Sequence, residues 1–298
     1  MTVTVRSRTE DRYPSRVGAT PQVIPRRDPV VYPGADAPLD PDLVQSFEDD
    51  GFIVLAGLIP PASAAKLNRE LDRLAADPSF RRRSECVVEA EADELRSVFA
   101  IHRIAGPLRA ITRAPGLVSI ARHVVGDDVY LHQTRAYLKA AFRGKEFYWH
   151  SDFETWHAED GMPAPRAVSC SVLLTPNHPW NGPLLTIAGS HQWFVSCVGD
   201  TPEDHYEASL RRQEIGTPDD DSLRDLAERG RIAQMLGPVG TVVFFDSNLM
   251  HGSGSNITPD PRRNLFMVYN AASNALVEPF AAPSRRPEFV ASRTFEPL

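Results

Sequence analysis

The segment Phe147-Tyr-Trp-His-Ser-Asp-Phe-Glu-Thr-Trp-His157 sets five aromatic rings around two histidines and an aspartate. Read as a strand, side chains two apart share a face, so His150 and Asp152 project together while Ser151 points away. An aspartate turned toward an apolar interior is costly unless it is paired or bound to metal. His150-x-Asp152 is therefore half of a chelate; the bland alternative is a structural pair, the commoner fate of an isolated HxD. His157 lies past the expected strand end and reads as a supporting or surface residue.

A third ligand must come from elsewhere. Of the later histidines, His178 sits in the loop TPNHPWNG and His205 in a polar stretch, both poor places for rigid ligation. His191, in AGSHQW, follows a strand and competes seriously, although a turn histidine satisfied by backbone is the plainer reading. His251 follows the hydrophobic run GTVVFFDSNLM, whose end delivers it to a cavity rim, and Arg262 lies eleven residues on, at the approach to the run NLFMVYN. Two imidazoles and one carboxylate occupy one face of an octahedral metal and leave three positions open, the donor set of a mononuclear Fe(II) oxygenase. A 2-oxo acid takes two of those positions and O2 the third. The far carboxylate of 2-oxoglutarate then needs a fixed cation, and the planar fork of arginine grips it better than the point charge of lysine. Ser253, two residues past His251 on the same face, adds a hydroxyl.

These residues need rigid elements. Asp40-Pro41 is an N-cap followed by proline at the first helical position, opening DLVQSFEDD, which Gly51 stops. FIVLAGLI reads as a buried strand. Pro60-Pro61 opens a second helix with Leu67, Leu71 and Leu74 on one face, and Pro115 to Val125 forms a third, closed by Gly126. Beyond it come short β-rich runs, VYLHQT, EFYWHSDF, RAVSCSVLL, PLLTIAG, GTVVFFDSN and NLFMVYN, separated by Gly, Pro and Asn turns. The fold class is mainly β with flanking helices, built on a double-stranded β-helix (jelly roll, cupin-like) core. Residues 1–38, rich in Pro, Arg and Asp, read as an extended arm draped over the domain or a partner subunit. Residues 39–298 read as a single domain with a polar surface insertion at about 196–235 that covers a cavity mouth.

Composition excludes other classes. The 298 residues are 42% hydrophobic, enough for a large core, and 32 Lys and Arg against 39 Asp and Glu leave a net charge of −7. Nucleic acid, which demands clustered positive charge, is not an expected partner. No run approaches the roughly 20 apolar residues of a membrane span, and the N-terminal stretch has no apolar h-region. Cys86, Cys170 and Cys197 are widely spaced with no CxxC pair, which points to reduced thiols and a cytoplasmic location rather than a disulfide framework.

FYWHSDFETWHAEDGMP closely resembles a block typical of ectoine hydroxylases in the phytanoyl-CoA hydroxylase superfamily. NGPLLTIAGSH, FFDSNLMHGSGSNITPDPRRN and VEPFAAPSRRPEF resemble their later blocks, so the likeness runs from about Tyr13 to the C-terminus. The resemblance implies homodimers with a double-stranded β-helix core that convert ectoine, a compatible solute made under osmotic stress, into 5-hydroxyectoine. By position it implies Fe(II) on His150, Asp152 and His251, and 2-oxoglutarate against Phe147, Ser253 and Arg262 with Gln133 and Ser171 nearby. Ectoine falls to Gln133, Thr155, Trp156 and Phe266. The cationic amidine of ectoine suits the π-faces of Trp156 and Phe266, whose plainer role is core packing. One departure stands out. RAYLKAAF, residues 135–142, lies where the resembling enzymes show something like RxNxKPGF, so Tyr137 replaces an asparagine and Ala140-Ala141 replace Pro-Gly.

The same residues admit three other readings: a related hydroxylase of another amino-acid-like metabolite, a zinc hydrolase of cupin-like fold, or a non-catalytic small-molecule binder that has kept the barrel. A halogenase is disfavoured, because Asp152 supplies the carboxylate such enzymes give up for halide.

Overall fold

The computed structural model describes residues 10–34, 38–89, 93–210 and 213–298. Parts of the expected arm, residues 1–9 and 35–37, lie outside the described residues, as do residues 211–212 of the expected insertion. In chain order the strands are β1 (Gln22–Pro25), β2 (Phe52–Leu55), β3 (Cys86–Glu89), β4 (Glu94–Phe99), β5 (Val129–Lys139), β6 (Phe147–His150) and β7 (Ala167–Leu173). They are followed by β8 (Leu184–Ala188), β9 (Trp193–Ser196), β10 (Arg231–Gln234), β11 (Val242–Asp246), β12 (His251–Ser253) and β13 (Arg262–Ala271). A large sheet in the order β2-β11-β7-β13-β5-β4-β3 faces a small one in the order β10-β8-β12-β6, and β1 pairs with β9. All pairings are antiparallel, and the two facing sheets make the double-stranded β-helix.

The large sheet is buried on both faces because helices cover its back. Helix α1 (Pro41–Asp50) starts at the Asp40 cap, whose carboxylate accepts from the Asp42 N–H at 2.9 Å. It stops where Gly51 turns to φ +82°. Helix α2 (Pro61–Ala75) buries Leu67, Leu71 and Leu74, and α3 (Pro78–Arg81), α4 (Pro107–Thr112) and α5 (Pro115–Val125) follow. These faces pack on Leu265 and Met267 of β13 and on Cys170 and Val172 of β7. By the period of two, alternate residues of the same strands, Phe266 and Val268 of β13 and Ser169 of β7, face the interior between the sheets. In β5 the register skips one residue at His132. Such a bulge re-aims a side chain, and here His132 comes within 3.2 Å of Asp160, its ring edge-on to Trp156.

Several elements differ from expectation. FIVLAGLI forms a strand over Phe52–Leu55 only, at the edge of the large sheet with Val54 39% exposed, because Gly57 at φ +70° turns the chain away. EFYWHSDF is strand only to His150. Ser151 accepts the Glu154 N–H on its hydroxyl at 3.4 Å, and that cap starts helix α6 (Asp152–Thr155). A π-type turn, Trp156–Asp160, continues it to Gly161 at φ +77°. A side chain at Gly161 would stand 2.4 Å from the Val277 carbonyl. The 196–235 segment is not all surface: β10 joins the small sheet beside β8, and α7 (Tyr206–Ser209) and α8 (Asp220–Arg229) lie between β9 and β10. All three cysteines are free thiols, and no helix among the described residues is long and apolar enough to cross a membrane.

The N-terminal segment and the C-terminal tail meet on the π-turn through buried ion pairs. Arg16 reaches Glu154 at 2.8 Å and Glu159 at 2.7 Å, with all three side chains at most 1% exposed. Ser15 donates to Glu154 at 2.6 Å, and the Arg286 Nε donates to Asp160 at 2.7 Å. Removing Arg16 leaves the buried Glu154 with the Ser15 hydroxyl and Glu159 with Arg286 at 3.5 Å. Arg16→Ala is expected to cost about 3–5 kcal/mol in urea unfolding, while Arg224→Ala, which breaks a solvent-exposed pair with Asp221, should cost little. Equal losses for the two variants would show that the buried network does not anchor the arm.

Candidate metal centre and its cavity

Pairing of β12 between β6 and β8 sets His251 directly opposite His150, with ring centroids 4.2 Å apart. Each imidazole is held in the same way. His150 Nδ1 lies 2.8 Å from the Tyr148 carbonyl and His251 Nδ1 lies 2.9 Å from the Leu249 carbonyl. A carbonyl only accepts, so both Nδ1 atoms carry a proton, and in the neutral rings the Nε2 atoms hold the lone pairs. Those lone pairs face Asp152, at 3.6 Å from His150 Nε2 to one carboxylate oxygen and 3.9 Å from His251 Nε2 to the other. One donor atom from each residue lies within 4.8 Å of the others, a spread that one divalent ion closes with bonds of about 2.0–2.2 Å.

The charges match this use. Burial pushes the His251 imidazolium down to a pKa of about 4, helped by the neighbouring His150, so the ring is neutral at physiological pH. Burial alone would raise Asp152, but His251, His150 and Arg135 outweigh it and hold the carboxyl down at about 2. Two neutral imidazoles and one carboxylate are the donors a ferrous ion takes in facial arrangement. Ser169 donates to the second carboxylate oxygen at 3.4 Å.

Around this triad closes a cavity of about 40 Å³, walled by Gln133, Phe147, Ser253, Arg262 and Phe266 among others. Asp152 is its only carboxylate among the described residues, against two guanidinium groups, the half-buried Arg135 and the buried Arg262. Arg262 is 1% exposed, and its Nε and Nη1 find no hydrogen-bond partner among the described residues. The Arg135 Nε is likewise without one. Burial pushes Arg262 down to about 10 and lowers Arg135 too, yet Arg262 remains charged at neutral pH. Buried donors left unpaired call for a partner, and a bound anion supplies one. Lys139 donates to the Gly254 carbonyl and lies 3.0 Å from the Ser253 hydroxyl. Burial, with Arg262 and Arg96 nearby, pushes its ammonium down to about 6.

Of the residues expected from sequence, Gln133, Phe147, His150, Asp152, His251, Ser253, Arg262 and Phe266 share this cavity, while Ser171, Thr155 and Trp156 do not line it. Ser171 sits beside Asn264 in the sheet, Thr155 accepts from Gln213 at 3.3 Å, and Trp156, 3% exposed, packs against His132. His191, the rival ligand, is buried against Gly51 and bonded to the Glu48 carbonyl at 3.0 Å. His157 is buried as well, bonded to Asp11 at 2.9 Å and stacked on Phe280 at 4.0 Å. Arg135 was not singled out in the sequence. Continuing the period of two from Gln133 along β5 finds it, and also Tyr137 and Lys139.

The sequence profile of phytanoyl-CoA dioxygenase (PhyH) matches residues 47–264. The ectoine dioxygenase of Bordetella bronchiseptica is 51% identical over 290 residues, spanning 96% of this chain and 94% of that protein. That of Nocardia farcinica is 48% identical over 288 residues, spanning 97% and 95%. Among solved structures, EctD from S. alaskensis with 2-oxoglutarate and 5-hydroxyectoine is 44% identical, covers 95% of both chains and superposes with a TM-score of 0.86. The same protein with bound Fe superposes at 0.85 over 96% of this chain and 95% of that one.

Lys139 offers a measurable signature. Neutral above about pH 6 in the free protein, it regains a proton when a dicarboxylate enters beside it. Calorimetry of 2-oxoglutarate binding at pH 8, in two buffers of different ionisation heat, should show uptake approaching one proton. Affinity should fall by up to about tenfold per pH unit above pH 6. No proton uptake would place the carboxylate away from Lys139.

Proposed function

The chain belongs to the phytanoyl-CoA dioxygenase family, and from that premise we propose that it hydroxylates ectoine to 5-hydroxyectoine with Fe(II), 2-oxoglutarate and O2, releasing succinate and CO2. The observation that carries this reading is one cavity holding both a His150–Asp152–His251 triad and a buried Arg262 whose Nε and Nη1 have no partner among the described residues. A ferrous ion there supplies the activation of O2 and the oxidative decarboxylation that together place one oxygen atom on the substrate.

The chain's own residues bind, orient and exclude water. His150, Asp152 and His251 hold the metal by one face, their orientation locked by the Tyr148 and Leu249 carbonyls. Arg262 takes the far carboxylate of 2-oxoglutarate through paired N–H donors, and Ser253 and Lys139 add hydrogen bonds. Phe147 packs edge-on against His150, with ring centroids 4.9 Å apart, and keeps water from the triad. The Gln133 amide donates to the Val290 carbonyl at 2.7 Å, which leaves its own carbonyl to accept from the amidine N–H of ectoine. Arg135 suits the ectoine carboxylate, and the π-face of Phe266 suits the amidinium, a contact worth about 0.5–2 kcal/mol. Thr155 and Trp156, within about one helical turn of Asp152, stand behind the cavity wall and support it from there. Ser171 supports the floor of the cavity through Asn264.

A zinc hydrolase has no task for Arg262, and a non-catalytic binder has none for the open face of the triad. A hydroxylase of another small amino-acid-like metabolite would share every residue named so far and differ in pocket shape. The resemblance also supports a homodimer, a cytoplasmic location and a role in osmotic stress; sedimentation tests the first of these.

Aerobic incubation with Fe(II), 2-oxoglutarate and ectoine should yield a product heavier by one oxygen together with stoichiometric succinate. Product from another amino acid but not from ectoine would redirect the substrate assignment. Asp152→Ala removes the anionic ligand and should abolish turnover and iron retention; near-normal hydroxylation would defeat the metal assignment. Arg262→Ala should raise KM for 2-oxoglutarate by about one to two orders of magnitude, the loss expected for a charge-assisted pair of about 1.5–3 kcal/mol, and leave KM for ectoine nearly unchanged. Equal effects on both would count against its role.

A further inference from the structure

Beside the metal cavity, on the flank of β4 and β5, lies a second and larger hollow of about 430 Å³. Its wall carries Arg96, Lys139, Arg143 and Lys145 against the carboxylates of Glu89 and Glu94. Arg96 and Lys145 both also pair with Glu89, at 2.9 and 3.2 Å. Tyr137 is the one described residue that lines both hollows. Its ring is surrounded by four basic side chains. Arg96 and Lys139 approach it from the groove side at 5.7 and 5.9 Å, and Arg135 and Arg262 from the cavity side at 5.3 and 5.4 Å. A π-face attracts the three guanidinium groups, so the ring spaces cations that otherwise repel one another.

Volume decides how the inner cations are reached. At about 40 Å³ the metal cavity has room for only a few waters, whereas sites for small ligands typically run to about 300–1,000 Å³. The groove falls in that range, and displacing the Tyr137 ring joins the two hollows. A dianion in the groove sees two cations beyond the ring, and on passing it replaces the ring as the counterpart of Arg262. Ectoine, a zwitterion with no net charge, gains no comparable pull from the groove.

We propose that this basic groove is an outer binding site through which the five-carbon dicarboxylate co-substrate reaches the metal cavity, and that Tyr137 is the partition it displaces. The proposal rests on the 2-oxoglutarate reading above and adds a route to it. Arg96, Arg143 and Lys145 capture the dianion and Tyr137 controls its passage; none of them touches reacting atoms.

Anaerobic stopped-flow mixing of the Fe(II)-loaded protein with 2-oxoglutarate follows chelation by its visible absorption band. If the wild-type protein gives no band, the 2-oxoglutarate reading itself fails. If it does, the pair Arg143→Glu and Lys145→Glu, both at exposed positions, should slow association about tenfold and flatten its salt dependence, while Kd changes less than about twofold and ectoine binding by calorimetry does not change. Tyr137→Ala should accelerate association and dissociation together by several-fold, and Tyr137→Phe, which keeps the ring, should behave as wild type. Association rates and salt dependence that stay at wild-type values in the charge-reversed protein would overturn the proposal, even if the Tyr137 variants fail to fold.

Discussion

The register of one three-residue strand governs this site. Because β12 lies between β6 and β8 with His251 across from His150, two imidazoles from segments far apart in sequence meet at 4.2 Å. A slip of one residue would turn His251 to the other face of the sheet. The register is held from both sides. Ser190 accepts the Met250 N–H on its hydroxyl at 2.9 Å, and Asn248 donates to the His191 and Trp193 carbonyls. His191 thus serves the site without ligating, since its backbone carbonyl helps to fix the turn that leads into His251.

Two kinds of buried charge coexist a short distance apart, and the contrast separates structure from function. Around the π-turn, Arg16, Arg286 and the carboxylates of Glu154, Glu159 and Asp160 are matched at hydrogen-bond distances. That network ties both chain ends to the helix carrying Asp152 and has no unmet need for a ligand. Along β5 and β13, by contrast, Arg135 and Arg262 keep buried donors without partners among the described residues. Desolvating a guanidinium without a counter-ion is costly, and the cost is offset only when an anion arrives. Tyr137 moderates that imbalance in the meantime, which gives a physical role to the residue by which this chain departs from the enzymes it resembles.

Legibility in the sequence followed how local the cause was. Helices α1, α2 and α5 begin at prolines, α1 and α5 end at glycines, and all three were readable from those residues. The strands carrying Phe147, His150 and Phe266 were readable from their apolar runs, whereas His251, expected just past the end of the GTVVFFDSN strand, opens a separate short strand in the other sheet. Asp152 was expected on a strand because two-residue spacing from His150 suffices to put both on one face, yet the Ser151 cap makes it the first residue of a helix. The donor pair survives because the turn carries the carboxylate back toward the imidazoles. Lys139 was noted only as a position shared with the resembling enzymes and Arg135 not at all, because a basic residue in a strand ordinarily reads as solvent-facing; β13 pairs alongside both, and β4 alongside Arg135.

The sequence by itself determined the donor set, its order along the chain and the arginine behind it, since ligand chemistry depends on residue type and the β-rich runs and turn residues are local signals. Tertiary structure alone decided which cations lack partners among the described residues, and that Thr155, Trp156 and Ser171 stand back from the cavity wall. Those outcomes depend on strand register, bulges and burial between sheets. Such quantities arise from contacts between distant segments and leave no periodic trace in any one of them.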